Sequence, residues 1–343
     1  MLRKIAKRAV LMVLLLLLGL GLWAWASPWP SVLLIRHMWP VPTAEQVEAL
    51  EALEPGGVSV QRDVVVNPSD KDARIDVYRP EAAGNAALPT VVWVHGGGFV
   101  TGSKDGMDTY LAHIAAAGYT VVAAEYTVAP QARYPRPVEQ VSAALDFLVA
   151  HASQYGIDTG QMALGGDSAG AHIAAQTAMA VSDPTYAAEA GLPRPDLPEG
   201  LQAVVLYSGA FDLTLVRETT GVGRWLAESM MWAYTGSKDA ASDSRLEWAD
   251  LPEHVSSTFP VSFISTGPGD PLLSHSQSMA RSLEAAGADV ETLWFPEAPS
   301  SIGHEYEMDL RTSEAKASMK SMIAFIRAHL DTSVPLSTPS DSW

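Results

Sequence analysis

The amino-acid sequence predicts an α/β fold in which a mostly parallel sheet of about eight strands is flanked by helices. Two observations support this prediction. From residue 58 onward, short runs of β-branched residues alternate with segments of helix length, which is the pattern of a parallel sheet covered on both faces. The 343 residues are also 48% apolar and only 18% charged, so the chain can bury a large core.

Composition excludes several classes of partner and of site. The chain has 22 Lys and Arg residues against 39 Asp and Glu residues, and the net charge of −17 argues against a nucleic acid as partner. The absence of cysteine excludes a disulfide scaffold, a thiolate zinc site, an iron–sulfur cluster and a cysteine nucleophile. The sequence also lacks an HExxH motif, and it predicts neither a metal site nor a cofactor.

Residues 1–26 predict a membrane-directing helix. Basic residues at positions 3, 4, 7 and 8 precede an uncharged stretch, Ala9–Ala26, which as a helix reaches about 27 Å. A cleaved signal peptide is favoured by the A-x-A form of Ala24–Ala26. An uncleaved anchor is favoured by the length and by Trp23, Trp25 and Trp29, which suit an interfacial aromatic belt. In both cases the basic cluster places the remaining chain outside the cytoplasm, in the cell envelope or secreted.

The elements after Gly56-Gly57 can be placed in order. The first two predicted strands have no helix between them, which indicates an antiparallel pair, whereas helices such as Pro137–Gln154 separate the later strands. Phe211–Phe259 interrupts the alternation with Trp and Met residues and is typical of a lid, and residues 332–343 read as a frayed tail. The predicted strands are Val58–Val66, Arg74–Arg79, Thr90–His95, Thr120–Tyr126, Met162–Gly166, Leu201–Ser208, Val261–Thr266 and Val290–Phe295.

The strongest chemical signal is the pentapeptide Gly166–Gly170 (GDSAG), which lies between a predicted strand and a predicted helix. A G-x-S-x-G sequence in that context predicts a nucleophile elbow, where the chain reverses sharply and exposes the serine. The flanking glycines are needed because a Cβ would collide with the crossing strand and helix. Ser168 is therefore the candidate nucleophile; a tight turn with a helix-capping serine is the alternative.

A glycine-rich segment, His95–Phe99 (HGGGF), ends the apolar strand before it. Glycines leave backbone N–H groups uncovered, and acyl transfer needs two or three such donors for the oxyanion of the tetrahedral intermediate. We expect Gly97 and Gly98 to supply two of them and Ala169, directly after the candidate nucleophile, a third. Neither a P-loop nor a GxGxxG dinucleotide signature is present at this position.

The acid and the base are expected to follow the elbow serine along the chain, the acid first. Of the histidines after Ser168, only His304 lies in a loop between the last predicted strand and the last helix. Asp270 follows the strand Val261–Thr266 and is the candidate acid, with Glu297 as the runner-up. The other histidines lie in helices or in the insertion: His172, His254, His275 and His329.

These residues resemble the hormone-sensitive-lipase-like esterases of the α/β-hydrolase fold, over about residues 88–330. The resemblance implies a cap built from N-terminal helices (residues 27–57) and the insertion (about 211–253), on a catalytic domain of residues 58–331. Gln131 stands where the family usually has glutamate, and the loop before His304 is slightly long. The resemblance rests on His95–Phe99 with Gly102, Gly166–Gly170, Asp270–Leu272, Gly303–Tyr306, Tyr126–Pro130 and Tyr134-Pro135.

The resemblance implies a serine carboxylesterase that hydrolyses short- to medium-chain esters without a cofactor. Its partners would be a small ester and, through an uncleaved N-terminal segment, a membrane. Two alternatives stay open: a catalytically silent ligand-binding protein of the same fold, and a peptidase, transferase or lactonase that uses the same triad, because pocket shape and water access choose the reaction. The natural ester and the oligomeric state are not predicted.

Overall fold

A computed structural model describes residues 2–39, 43–212, 220–239 and 243–330. Its centre is one eight-stranded sheet with the order β1-β2-β4-β3-β5-β6-β7-β8, in which β3 to β8 run parallel and β2 is antiparallel to both β1 and β4. The strands are β1 (Val58–Val65), β2 (Arg74–Pro80), β3 (Leu88–Val94), β4 (Thr120–Ala124), β5 (Ile157–Asp167), β6 (Ala203–Tyr207), β7 (Ser262–Ser265) and β8 (Val290–Leu293).

Eleven α-helices are described around the sheet and before it. Three of them precede β1, where the sequence predicted helices. The helices are α1 (Leu2–Ala26), α2 (Trp29–Met38), α3 (Ala44–Glu51), α4 (Asp108–Ala116), α5 (Arg136–Ala150), α6 (Ala152–Tyr155), α7 (Ser168–Ser182), α8 (Pro184–Ala190), α9 (Gly221–Thr235), α10 (Leu273–Ala286) and α11 (Ser313–His329).

The strand sequences explain the layering. Every residue of β3 is buried, as expected for a central parallel strand that is covered on both faces. Alternate side chains of this strand enter different cores, because successive residues of a strand point to opposite faces. Val91 and Trp93 pack with α4 and α11, whereas Val92 and Val94 pack with α5 and α7. The predicted three-layer fold and the antiparallel first pair are therefore confirmed.

Most predicted elements differ from the structure by one to three residues at an end, and two differ by more. The segment predicted as one helix, Pro137–Gln154, forms α5 and α6, because His151 between them leaves the helical region with φ −117° and ψ 21°. Strand β5 begins five residues earlier than predicted, at Ile157, where it pairs with Leu88. The predicted tail, residues 332–343, lies outside the described residues.

The N-terminal helix stands apart from the sheet. Within its segment Arg3–Ala26 an 18-residue window has a mean hydropathy of 2.4, and none of that window is buried, so the helix meets the length and hydropathy of a membrane span or a signal sequence. Within the described part of the chain it is the one helix with these properties. After a break at Ser27, α2 follows, and its Val32 and Ile35 are fully buried in the hydrophobic core on the α5 and α7 face of the sheet.

Candidate active site

The candidate nucleophile lies at the junction of β5 and α7. Ser168 has φ 51°, a strained value for a residue with a side chain, and begins α7 directly after the strand ends. A Cβ at Gly166 would collide with the backbone of Gly170 and with the carbonyl of Val94, and one at Gly170 would collide with the carbonyls of Val94 and His95. The glycines are thus required by the tight crossing of strand and helix, as the sequence predicted.

Ser168, His304 and Asp270 come together at the carboxyl edge of the sheet. The Nε2 atom of His304 lies 2.9 Å from Ser168 Oγ, and its Nδ1 atom lies 3.1 and 3.0 Å from the two carboxylate oxygens of Asp270. Asp270 is 5% exposed, and its Oδ1 accepts a hydrogen bond from the backbone N–H of Leu272 at 2.7 Å. The structure therefore joins three residues that are 102 and 34 positions apart in the chain.

The competing candidates lie elsewhere. Glu297, the runner-up acid, is exposed in the turn after β8. His172 is buried within α7 and its Nδ1 bonds the carbonyl of Ala210, while His254 bonds the carbonyl of Glu247. His275 is buried near the start of α10. His329 lies at the end of α11, 4.0 Å from the carboxylate of Glu291.

The glycine loop after β3 lies beside the elbow. Gly97 and Gly98 have φ values of 112° and 57°, which side-chain-bearing residues rarely adopt. A Cβ at Gly98 would stand 2.6 Å from the Sδ atom of Met230, so this methionine of α9 covers the loop. Ala169, the third residue predicted to donate to an oxyanion, is buried in the first turn of α7 next to Ser168.

A buried carboxyl ties the loop to the elbow. Asp167 accepts a hydrogen bond from the indole N–H of Trp93 and another from the backbone N–H of Gly96, each at 2.8 Å. Its side chain also shares a hydrogen bond with Glu305. Burial, followed by the charge of Glu305, raises the pKa of Asp167 to about 8, so the protonated form of this carboxyl is favoured at neutral pH.

The electrostatics of His304 reflect opposing effects. Burial disfavours its charged form, but the hydrogen bond that its Nδ1–H donates to Asp270 and the negative charges of Glu305, Asp270 and Glu307 favour it more strongly, and the pKa of His304 rises to about 9. The side chain of His304 remains 32% exposed, whereas Ser168 is 5% exposed. The imidazole of His304 is therefore accessible to solvent on one side and is held by the carboxylate of Asp270 on the other.

Sequence reasoning missed three residues of this region. Glu305 follows His304 directly, but a loop residue gives no signal of where its side chain points. Met230 was noted only as part of an apolar insertion. Arg36, the one arginine of α2, donates to the backbone carbonyls of Val100 and Ala129 at 2.7 and 3.0 Å. A lone arginine in an apolar helix is a signal that could have found it, because such a group needs buried acceptors.

Metal ligation has no candidate here. Among the residues that the structure describes, no group of three or more His, Asp or Glu side chains has the geometry to hold a metal ion.

Comparison with known proteins places the chain in a family. A model of the α/β-hydrolase fold matches residues 91–302. An esterase from Gibberella moniliformis is 26% identical over 262 residues, covering 73% of this chain and 78% of the relative. An acetyl esterase from Salmonella paratyphi B is 27% identical over 245 residues, covering 68% and 71%.

Solved structures show the same fold. Esterase B from Lactobacillus rhamnosis superposes with a TM-score of 0.73 at 20% identity, covering 87% of this chain and 95% of that one. A bacterial heroin esterase superposes with a TM-score of 0.68 at 26% identity, covering 84% and 90%. The chain belongs to the α/β-hydrolase fold family and, within it, to the hormone-sensitive-lipase-like carboxylic ester hydrolases.

Proposed function

We propose that this protein is a serine carboxylesterase that hydrolyses short- to medium-chain esters through an acyl-enzyme. The observation that supports it most directly is the continuous hydrogen-bonded line from Asp270 through His304 to Ser168 Oγ. Such a line allows a neutral imidazole to take the hydroxyl proton while the carboxylate stabilises the imidazolium that forms.

The proposed reaction proceeds in two halves. Ser168 Oγ attacks the ester carbonyl carbon as its proton moves to His304 Nε2, and the tetrahedral intermediate then expels the alkoxide, which takes that proton and leaves as the alcohol. In the second half, water gives a proton to His304 and attacks the acyl carbon. Collapse of this second intermediate releases the carboxylic acid and returns the proton to Ser168.

The oxyanion would be held by the backbone N–H groups of Gly97, Gly98 and Ala169. Two structural features favour this assignment. Asp167 fixes Gly96 at the start of the loop, and Ala169 lies at the N-terminus of α7, where the helix dipole favours negative charge. Each donor of such a site is typically worth about 3–4 kcal/mol of transition-state stabilisation.

We also assign residues 27–57 and about 211–253 to a cap over the site, and residues 58–331 to the catalytic domain. The cap assignment is supported by Met230 over Gly98 and by Arg36, which holds the carbonyl of Val100 behind the loop. Met230 would contribute an apolar wall for the acyl chain. The basic start of α1 supports a location of the catalytic domain on the non-cytoplasmic side of the membrane, which is part of this proposal.

The test uses p-nitrophenyl esters from acetate to octanoate with the purified full-length protein. We expect hydrolysis to fall by about 10⁴-fold or more in Ser168→Ala, because the nucleophile is lost. Ser274→Ala, which removes an exposed hydroxyl on α10, is the matched control and should leave the rate unchanged. A fluorophosphonate should label one peptide, the one that contains Ser168. Equal rates in the wild type and in Ser168→Ala would overturn the proposal.

A further inference from the structure

The exposed apolar side chains of this protein are concentrated on one side of the molecule. Beyond α1, the described residues expose six large hydrophobic side chains by 40% or more. Four of the six lie on α2 and α9, the two helices next to the glycine loop, and one lies on α3; the sixth is Val65 on β1. The six are Leu33, Leu34, Met38, Val47, Val65 and Val222.

Helix α2 carries large apolar side chains on both of its faces, and its last turn contains Arg36 and His37. Its inner face carries Val32 and Ile35, which are buried in the core. The opposite face carries Leu33, Leu34 and Met38, exposed by 48%, 48% and 60%. A water-facing helix normally presents mostly polar residues on its outer side, whereas here His37 is the one exposed polar side chain beside three exposed apolar ones.

This outer face continues directly from the candidate membrane helix. Only Ser27 and Pro28 separate α1 from α2. The ammonium group of Lys238, just after α9, lies 4.4 Å from the ring centre of Trp25 and 4.7 Å from that of Trp232, and it also donates to the carbonyl of Trp25. The end of α1 is thereby held against α2 and α9.

On their inner side, α2 and α9 contact the end of the glycine loop. Arg36 of α2 bonds the carbonyl of Val100, and Phe99 stacks on Tyr234 of α9 at 4.0 Å between ring centres. Met230, which covers Gly98, precedes Trp232 by two residues, about 3 Å along the axis of α9. The end of the membrane helix and the candidate oxyanion loop are therefore connected through one helical layer.

We propose that the outer face of α2 and the N-terminal end of α9 (Leu33, Leu34, Met38 and Val222) lie in the lipid interface of the bilayer that α1 spans. With α1 about 37 Å long, its basic start reaches one membrane surface and Trp23 and Trp25 reach the other. Helix α2 then begins at headgroup depth with its apolar face available to acyl chains.

The proposal extends to the substrate and in that part rests on the proposed esterase function. Because the cap helices join the lipid interface to the glycine loop, the enzyme would take esters dissolved in the membrane. Apolar burial is the attraction here, since the chain without its four N-terminal positive charges carries −21 and would be repelled by anionic lipids. Contact is therefore expected with zwitterionic lipid and at high salt.

The surface can be tested without measuring activity, because a chain without cysteine accepts one labelled thiol cleanly. Full-length Leu34→Cys and Met38→Cys, labelled with bimane, are inserted into phosphatidylcholine vesicles that contain doxyl-labelled lipid. We expect strong quenching at both positions and little at Val65→Cys, whose native side chain is exposed by 42% on β1. Quenching at position 34 no stronger than at position 65 would overturn the proposed surface.

A second measurement tests the substrate. The double variant Leu34→Asn/Met38→Asn should keep its rate on soluble p-nitrophenyl acetate and lose about tenfold on 4-methylumbelliferyl octanoate partitioned into the same vesicles. Val65→Asn is the matched control and should change neither rate. If the double variant hydrolyses the embedded ester as fast as the wild type does, the proposal that the enzyme takes esters from the membrane is overturned. Absence of hydrolysis of both esters by the wild type overturns the proposed function instead, while the quenching result still decides the surface.

Discussion

The carboxylate of Glu305 lies 3.8 Å from the Nε2 atom of His304, on the same side of the imidazole as Ser168 Oγ. The nitrogen that would accept the serine proton in the proposed mechanism thus faces a negative charge, and the imidazolium is stabilised from both ends of the ring. This arrangement couples the basicity of His304 to a residue outside the predicted triad.

The pH dependence of the esterase should therefore depend on Glu305. Catalysis needs the neutral imidazole, and the pKa of His304 is raised to about 9, so kcat/KM should increase with pH up to that region. Glu305→Gln removes a negative charge and should move the acidic limb to lower pH by about one unit or less. The measurement is kcat/KM on p-nitrophenyl acetate as a function of pH for the wild type and for Glu305→Gln. Acidic limbs at the same pH in both proteins would contradict the prediction.

Asp167→Asn should slow catalysis and flatten the pH dependence of stability. The amide has one acceptor where the carboxyl has two, so either Trp93 or Gly96 loses its partner, at a cost of about 1–3 kcal/mol. Because burial and Glu305 raise the folded pKa of Asp167 to about 8, above its unfolded value, the folded state binds the extra proton. Wild-type stability should therefore fall as the pH rises from about 4 to 8.

The measurement for Asp167 is urea unfolding at pH 5 and pH 8. We expect the wild type to lose about 1–3 kcal/mol more between these two values than Asp167→Asn does. A wild-type slope equal to that of the variant would show that Asp167 does not hold the proton. A fall in kcat larger than the change in KM would assign its effect to the glycine loop.

Gly170→Ala should destabilise the protein by about 3 kcal/mol or more. The added methyl group meets the backbone carbonyls of Val94 and His95, which cannot move without displacing β3. Gly106→Ala is the matched control, because a Cβ there meets no atom within 4 Å and its backbone needs no positive φ. Thermal unfolding measures the loss of stability in each variant. Equal melting temperatures for Gly170→Ala and Gly106→Ala would show that an added methyl group is tolerated at the elbow.

Gln131→Glu should change stability by less than about 1 kcal/mol. Gln131 Oε1 already accepts a hydrogen bond from Arg36 at 2.8 Å, and a glutamate would convert that bond into a largely exposed ion pair. The family's usual glutamate is thus replaced by a side chain that makes the same contact. Urea unfolding at low and high salt measures the difference, and a gain of several kcal/mol would indicate a far stronger ion pair.

The sequence was informative where chemistry and backbone geometry coincide. The elbow glycines could be predicted because only residues without a Cβ fit between Val94 and α7, and the loop position of His304 followed from chain order. Eight strands were recognisable from β-branched runs such as that of β3. The exact ends of β5 and α5 were not, since pairing with Leu88 and the conformation of His151 are decided by tertiary contacts.

Other parts of the site depend on contacts that no local pattern reports. Glu305 meets Asp167 only because the loop after β8 folds back over Gly96, across 138 residues of chain. Met230 contacts Gly98 from the insertion after β6, and no hydrophobic periodicity in the sequence predicts where that insertion packs. Arg36 binds the carbonyls of Val100 and Ala129 from a helix that sequence analysis could place only before the first strand.

The two-residue break at Ser27-Pro28 divides the N-terminal region into parts with different attachments. Trp25, on the membrane side, is held by Lys238, whereas Arg36, on the other side, holds the backbone beside the glycine loop. Proteolysis at the A-x-A sequence would therefore remove the span together with Trp25 and leave both backbone contacts of Arg36 in place. The remaining chain would keep its glycine loop braced and would meet the bilayer only through the apolar face of α2 and the start of α9.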